Sequence, residues 1–377
     1  MWGDRIFVTA AVPLGEPLSP AEDHRHGAHD NLAAVHRQRF SVLAVRRSDG
    51  HILWQRTVHE QVPHEGGHYT SSFASNSPVT DGERVYAFFG SAGLFCLDVE
   101  GNPVWDVDLG DMHSKHGHGE GASPALHGNT LVVNWDHEGD SFVVAFDKST
   151  GKERWKVSRD EVTAWSTPIV VEHEGTAQVI ISASNRIRGY DLMTGEVIWE
   201  CGGLSHNVVA SPVAGGGLVY AGSNYDTRAL LAIRLDGARG DITGTDRVAW
   251  TRKRDTPYVP SPLLYGERLY FLKVFHGLLT CVNAGTGETI FGPVRLPDVS
   301  EIYASPVGAA GRVYVTSIGG TTLVLNHEGP PETMAVNQLD DRFNASPALA
   351  DGELYLRGER HLYCIAEDAP QISEASD

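Results

Sequence analysis

Seven times the chain spells Ser-Pro or Thr-Pro at the head of an apolar run, at Pro78, Pro124, Pro168, Pro212, Pro262, Pro306 and Pro347. The intervals are 46, 44, 44, 50, 44 and 41 residues. A period in the mid-forties is the length that four short strands and their turns require, so one supersecondary unit is copied around a ring. A ring of blades escapes the size limit of a single core. At 377 residues a conventional chain would split into several domains, but blades bury their faces against their neighbours and need no linker.

The stretch from Ser123 to Trp155 shows one repeat. Ser123-Pro124-Ala125-Leu126 opens a strand, where proline is tolerated because the first residue need not donate to the ladder. His127-Gly128-Asn129 turns the chain, Thr130–Val133 and Ser141–Phe146 are the next strands, and Lys152–Trp155 returns as the outer one. Between the last two lies Asp147-Lys148-Ser149-Thr150-Gly151. The element recurs from Asp191 through Gly195 to Trp199 and from Asn283 through Gly287 to Phe291. It recurs again from Arg46 through Gly50 to Trp54, and one residue shorter from Asp98 to Trp105. Glycine supplies the positive φ of a tight hairpin, Asp or Asn bonds its own turn amides, and the indole covers the blade edge.

The Asp-x-x-Thr-Gly-x-x-x-Trp element, together with the Ser-Pro strand start, resembles the tryptophan-docking repeat of the pyrroloquinoline-quinone (PQQ) type β-propellers. That group includes quinoprotein alcohol dehydrogenases and the propeller lipoprotein of the bacterial outer-membrane β-barrel assembly machinery. The resemblance runs from Gly3 to Ala366 and is specific for fold, whereas activity resides in sites grafted onto it.

Gly3-Asp4-Arg5-Ile6-Phe7-Val8 aligns with Gly82–Ala87, a second strand, so the first unit lacks its opening strand. The last unit, after Ser346-Pro347, has Gly352–Arg357 and His361–Ile365 but no closing Gly-x-x-x-Trp strand. The expected fold is an all-β, eight-bladed β-propeller of four-stranded antiparallel blades, the first and last incomplete, spanning 1–366 as a single propeller. Residues 367–377 are expected to form an acidic, disordered tail. Both missing strands would lie upstream of Met1, so the natural protein is expected to begin earlier. An export signal there would make it exported or periplasmic.

Forty-eight acidic against thirty basic residues give a formal charge of −18, which repels phosphate backbones and argues against nucleic acid as a partner. No apolar run approaches the roughly 18 residues of a membrane-spanning helix. Cys96, Cys281 and Cys364 occupy the same repeat position in separate blades and are expected as buried free thiols, while Cys201 has no evident partner.

Histidines gather in the loops joining blades and in those between second and third strands. His24, His26, His29, His36, His59, His64, His68, His113, His116, His118, His137, His206 and His276 are expected on that face. The densest clusters are His64-Glu65-Gly66-Gly67-His68, His113 with His116-Gly117-His118-Gly119-Glu120, and Asp136-His137-Glu138. Imidazoles and carboxylates so spaced can ligate a metal or form an acid/base pair, and His64, His68, His116 and His118 are the metal candidates. The residues before each Ser-Pro are expected to line a central funnel. The candidate ligand-binding set is therefore His64, Glu65, His68, Asn76, His116, His118, Glu120, Asp136, His137, Glu138, Trp165, His206, Asn207, Tyr258, Tyr303 and Asn344.

His-Glu-x-x-His is the spelling of zinc peptidases, but that chemistry needs a helix, which Pro63 and the two glycines oppose. The alternation Asn134, Asp136, Glu138, Asp140 partly matches a calcium loop, but position twelve is Ala145, so a polar hairpin is expected.

The resemblance implies two kinds of function, and the His/Glu clusters permit a third. A quinoprotein-type oxidoreductase would hold PQQ over a tryptophan and under a disulfide of adjacent cysteines, near calcium or a lanthanide. Here no two cysteines are adjacent, which leaves the cofactor unassigned. A hydrolase or lyase would use a metal in the His/Glu clusters. A binding or assembly scaffold needs only the loop face and funnel, with a protein, peptide or glycan as ligand, and this is the expected function.

Overall fold

The polypeptide is built almost wholly of short antiparallel strands, and the computed structural model describes residues 1–18 and 30–367. His24, His26, His29 and the tail beyond Glu367 lie outside the described residues. The fold is an all-β, eight-bladed β-propeller whose blades are mostly four-stranded. It divides into two compact units, Met1–Ala249 and Trp250–Asp377.

Blade three shows why the residues adopt this form. Its strands are Ala125–His127, Thr130–Trp135, Phe142–Asp147 and Glu153–Ser158, paired in that order. The middle two are buried along nearly their whole length, so they are apolar without alternating polarity. Alternate side chains nevertheless face opposite neighbours. Leu131, Val133, Trp135, Val144 and Phe146 pack with Tyr86, Phe88 and Leu94 of blade two. Val132, Val143 and Ala145 pack with Val179, Ile181 and Tyr190 of blade four. Each buried Val or Leu contributes roughly 1.5–3 kcal/mol, so the core is a series of interfaces between blades. Within the second unit, Tyr270, Leu272 and Leu279 meet Val313, Val315 and Leu323 in the same way.

The serine or threonine before each proline has a defined role. Its hydroxyl accepts the backbone N–H of the equivalent residue one blade earlier: Ser77 to Ser123 at 2.9 Å, Ser123 to Thr167 at 3.0 Å, and Thr167 to Ser211 at 2.9 Å. In the second unit Ser261 donates to Ser305 and Ser305 to Ser346, each at 2.9 Å. The turns behave as read. Asp147 Oδ1 accepts the amides of Ser149 and Thr150, and Asp191 Oδ1 those of Met193 and Thr194.

The tryptophans reach further than their own blade. Trp105 lies over Gly151 in the turn of the next blade and donates Nε1–H to Lys148 O at 3.0 Å. Trp54, Trp155 and Trp250 do the same to Val99, Leu192 and Ala284. Trp199 departs from this pattern: it is fully buried over Gly189 and donates to Gln178 Oε1 at 2.9 Å. The cause is the 50-residue interval. In blade five the chain between Arg228–Arg234 and Val248–Arg252 makes an excursion whose strand Gly240–Asp241 pairs in parallel with Trp199 and Glu200. Ala238 and Ile242 of that excursion join the core around Trp199.

Blades one and eight have three strands each among the described residues. All four cysteines are free, and Cys96, Cys201 and Cys281 are buried, with burial raising the thiols of Cys96 and Cys281 to about 12. Cys364 is exposed, contrary to expectation. Cys96 and Cys281 lie opposite Trp105 and Phe291 of a fourth strand, which blade eight lacks among the described residues.

Candidate functional site

Blade one departs from its neighbours in the length of its strands. Arg5–Leu14 and Arg37–Arg46 pair over ten residues, so the excursion that joins them leaves the ladder only after Leu14. Its returning limb folds back over the loops: Asn31–Leu32 pairs with Gly67–His68, Tyr69 N–H donates to Asp30 O at 2.9 Å, and the Asn31 side chain donates to His116 O. Gly66 passes so close to Leu32 O that any Cβ would collide with it, which is the structural reason for glycine there.

Beneath this limb lies a cavity of about 150 Å³. Phe40, Phe73 and Phe89 give it an apolar floor, with Leu32 and Pro63 above. His64, Glu65, His68, Asn76 and Glu120 are among its polar groups, with Gln61, Ser71, Ser72 and Ser91, so five sequence candidates share one pocket. The Glu120 carboxylate takes the Ser91 backbone N–H at 2.6 Å and the Ser91 hydroxyl. It occupies the space where a Cβ on Gly90 would stand. Burial raises its pKa above the ordinary glutamate value, and the two bonds from Ser91 only partly oppose this.

A water-sized cavity of about 10 Å³ adjoins it, sharing Asn76 and Glu120 and lined also by Asn134, Asp136, His137 and Trp165. Asn76 is buried and donates to Ala122 O at 2.5 Å. Trp165 donates its indole N–H to Gly119 O at 2.8 Å. Asp136 forms a bidentate pair with Arg159, at 2.7 and 3.0 Å, with both side chains fully buried. Burial alone would lower the Arg159 pKa, but the charge and hydrogen bonds of Asp136 together with Tyr190 and Glu161 outweigh it and raise it. The stretch from Asn134 to Asp140 thus joins two strands as a polar hairpin.

The hairpin tip organises the neighbouring loop. His137 Nδ1 accepts the His113 backbone N–H at 3.1 Å, and Glu138 N–H donates to His113 O at 2.8 Å. Burial lowers the His137 pKa, in keeping with a neutral ring that accepts. Glu138 Oε1 takes the Thr163 hydroxyl at 2.8 Å. His113, so held, meets the loop of blade one: its Nδ1 is 2.9 Å from Glu65 Oε1, and its ring stands edge-on to that of His64 at 5.6 Å.

The other histidines separate. His68 Nδ1 bonds Thr70 Oγ1 at 2.7 Å and its ring abuts His118 at 4.9 Å. His116 has a left-handed backbone and lies 5.4 Å from His118, which in turn neighbours Trp165 at 6.3 Å. His59 lies within the strand Ile52–Gln61, not in a loop. His206 lines a separate open depression with Asp160, Arg186 and Asp226, while Asn207 beside it is buried with a left-handed backbone. In the second unit Tyr303 stacks on Phe275 at 5.5 Å, Asn344 Oδ1 is buried without a hydrogen-bond partner, and Tyr258 follows Pro257, which bridges to Lys273.

The family model for the outer membrane protein assembly factor BamB matches residues 38–293. The chain belongs to the BamB family of PQQ-type repeat β-propellers. Its fold is similar to that of BamB from Moraxella catarrhalis, at a TM-score of 0.64 and 15% identity, covering 95% of this chain and 99% of that one. It is also similar to the quinohemoprotein alcohol dehydrogenase from Comamonas testosteroni, at 0.63 and 9%, covering 94% and 72%. A europium-containing methanol dehydrogenase matches at 0.60 and 10%, covering 93% and 84%. No curated protein sequence matches the chain. At these identities the solved structures share the fold alone.

Within this BamB-family chain, much of the pocket lining escaped the sequence reading, Phe40, Phe73 and Phe89 included. Ser91 and Gly90 sit in a short 3₁₀ turn where a third strand was about to begin. Leu32 belongs to the excursion of blade one and becomes part of the roof only through its pairing with Gly67. The Gly-Ser pair beside an apolar run was visible, but nothing marked it as the partner of a glutamate 29 residues on.

Proposed function

We propose that the chain is a binding scaffold whose blade-one to blade-three loops capture a segment of a protein partner, one side chain of which enters the cavity under Leu32. The observation that carries this reading is the cavity itself: three phenylalanines and two carboxylates, Glu65 and Glu120, line one space. Such a site favours a lysine or arginine whose aliphatic stem lies on the phenylalanines and whose charged head meets Glu120. A nearby cation would also favour ionisation of a carboxyl that burial disfavours. The chain's charge of −18 favours basic partners in the same sense. Membership in a family described as an outer membrane assembly factor supports a protein partner over a small substrate.

The test is a peptide array probed with the purified chain, with a glycan array in parallel. Peptides bearing Lys or Arg beside apolar residues should bind, and Glu120→Gln and Gly66→Val should weaken them. Binding confined to glycans, or peptide binding indifferent to both variants, overturns the reading.

A further inference from the structure

We propose that His64, Glu65 and His113 form a binding site for a divalent transition-metal ion of the zinc class at the rim of the cavity. One ligand atom from each lies within 4.8 Å of the other two. Donors about 2.1 Å from a tetrahedral ion stand about 3.4 Å apart, so a small inward rotation of two partly exposed imidazoles completes the set.

Each member is already oriented. His64 Nε2 donates to Met112 O at 2.6 Å, which leaves the lone pair on Nδ1. Glu65 Oε2 accepts the Ser114 backbone N–H at 3.1 Å and its hydroxyl at 3.2 Å, while Oε1 faces His113. The His113 backbone is held on both sides, by His137 and Glu138. A carbonyl behind one imidazole and hydroxyl and amide donors behind the carboxylate are the supports that metal ligands need. Asp111 Oδ1 lies 3.6 Å from His64 Nδ1, outside the three-residue set.

The ligands come from loops 48 residues apart, so this is not the His-Glu-x-x-His arrangement. His68 is turned to Thr70 and takes no part, and Glu65 is a ligand instead of a base. The chemistry of two imidazoles with a carboxylate suits zinc, and an ion there would tie the blade-one loop to the blade-two-to-three connection beside the pocket. The site stands on these residues alone and holds whether or not a peptide binds.

Zinc titration of the metal-free full chain by calorimetry, with cobalt absorption as a second readout, tests this. The expected result is one equivalent bound per chain with visible cobalt bands of low-symmetry N/O coordination. His64→Ala, Glu65→Gln and His113→Ala should each weaken zinc at least about tenfold, with the metal-free variants retaining the parent's circular dichroism spectrum. His68→Ala and His173→Ala should bind as the parent does; the half-buried His173 belongs to a separate group with the exposed Glu174 and Asp236. Absence of zinc binding, indifference to the first three variants, or loss in His173→Ala overturns the proposal. Repeating the peptide array in chelator separates this outcome from failure of the scaffold reading.

Discussion

Ser91 grips the Glu120 carboxylate with both its backbone N–H, at 2.6 Å, and its hydroxyl, and the same hydroxyl accepts the Met112 N–H at 2.7 Å. Three segments of chain meet at one serine, and the acid they hold is raised above its ordinary pKa by burial. A carboxyl whose folded pKa exceeds its unfolded one favours the fold below the unfolded value and loses that contribution as pH rises through the folded value. Urea unfolding between about pH 4 and 8 should therefore show the parent losing stability with rising pH relative to Glu120→Gln. Parallel pH profiles for the two proteins would contradict this.

The bond from Ser123 N–H to Thr167 Oγ1 makes the strand-opening motif testable. Thr167→Val keeps the shape but removes the acceptor, and should cost roughly 1–2 kcal/mol. Thr167→Ser should be close to neutral. Denaturant midpoints of the two variants give the comparison, and a loss in Thr167→Ser with none in Thr167→Val would show that the methyl, not the hydroxyl, matters.

Gly151 and Gly128 both have positive φ, at 69° and 55°, but only Gly151 lies under an indole, where a Cβ would come within 2.7 Å of Trp105 Cδ2. Backbone strain alone costs about 1–2 kcal/mol. Gly128→Ala should lose that much, and Gly151→Ala clearly more, as read by thermal unfolding with tryptophan fluorescence.

Removing one member of the buried Asp136–Arg159 pair leaves an uncompensated charge. Asp136→Leu should destabilise by about 3–5 kcal/mol. The double variant Asp136→Leu/Arg159→Met should recover part of that loss, because it buries no charge. A double-mutant cycle that shows simple additivity would refute the coupling.

The ring was legible because its signal repeats: a Ser-Pro at Pro78 means little alone, but six further copies at one spacing leave a single architecture. The site was legible in part. His64, Glu65, His68 and Glu120 share a pocket because they lie in loops that the repeat assigns to one face. The facing of Glu65 by His113 was not, since neighbouring histidines in sequence, such as His64 and His68, advertise a pairing that the extended loop pulls apart. Trp199 was misread for a related reason. Its turn matches the repeat, but the excursion of blade five replaces the surface on which it would otherwise have docked.

That excursion has a further consequence. Outermost strands present unpaired amides and carbonyls on which other chains can template, and Val197–Cys201 is the outermost antiparallel strand of blade four. By laying Gly240–Asp241 along it in parallel, the molecule caps this margin with a two-residue splint too short to propagate, and so blunts one route to fibrous self-assembly.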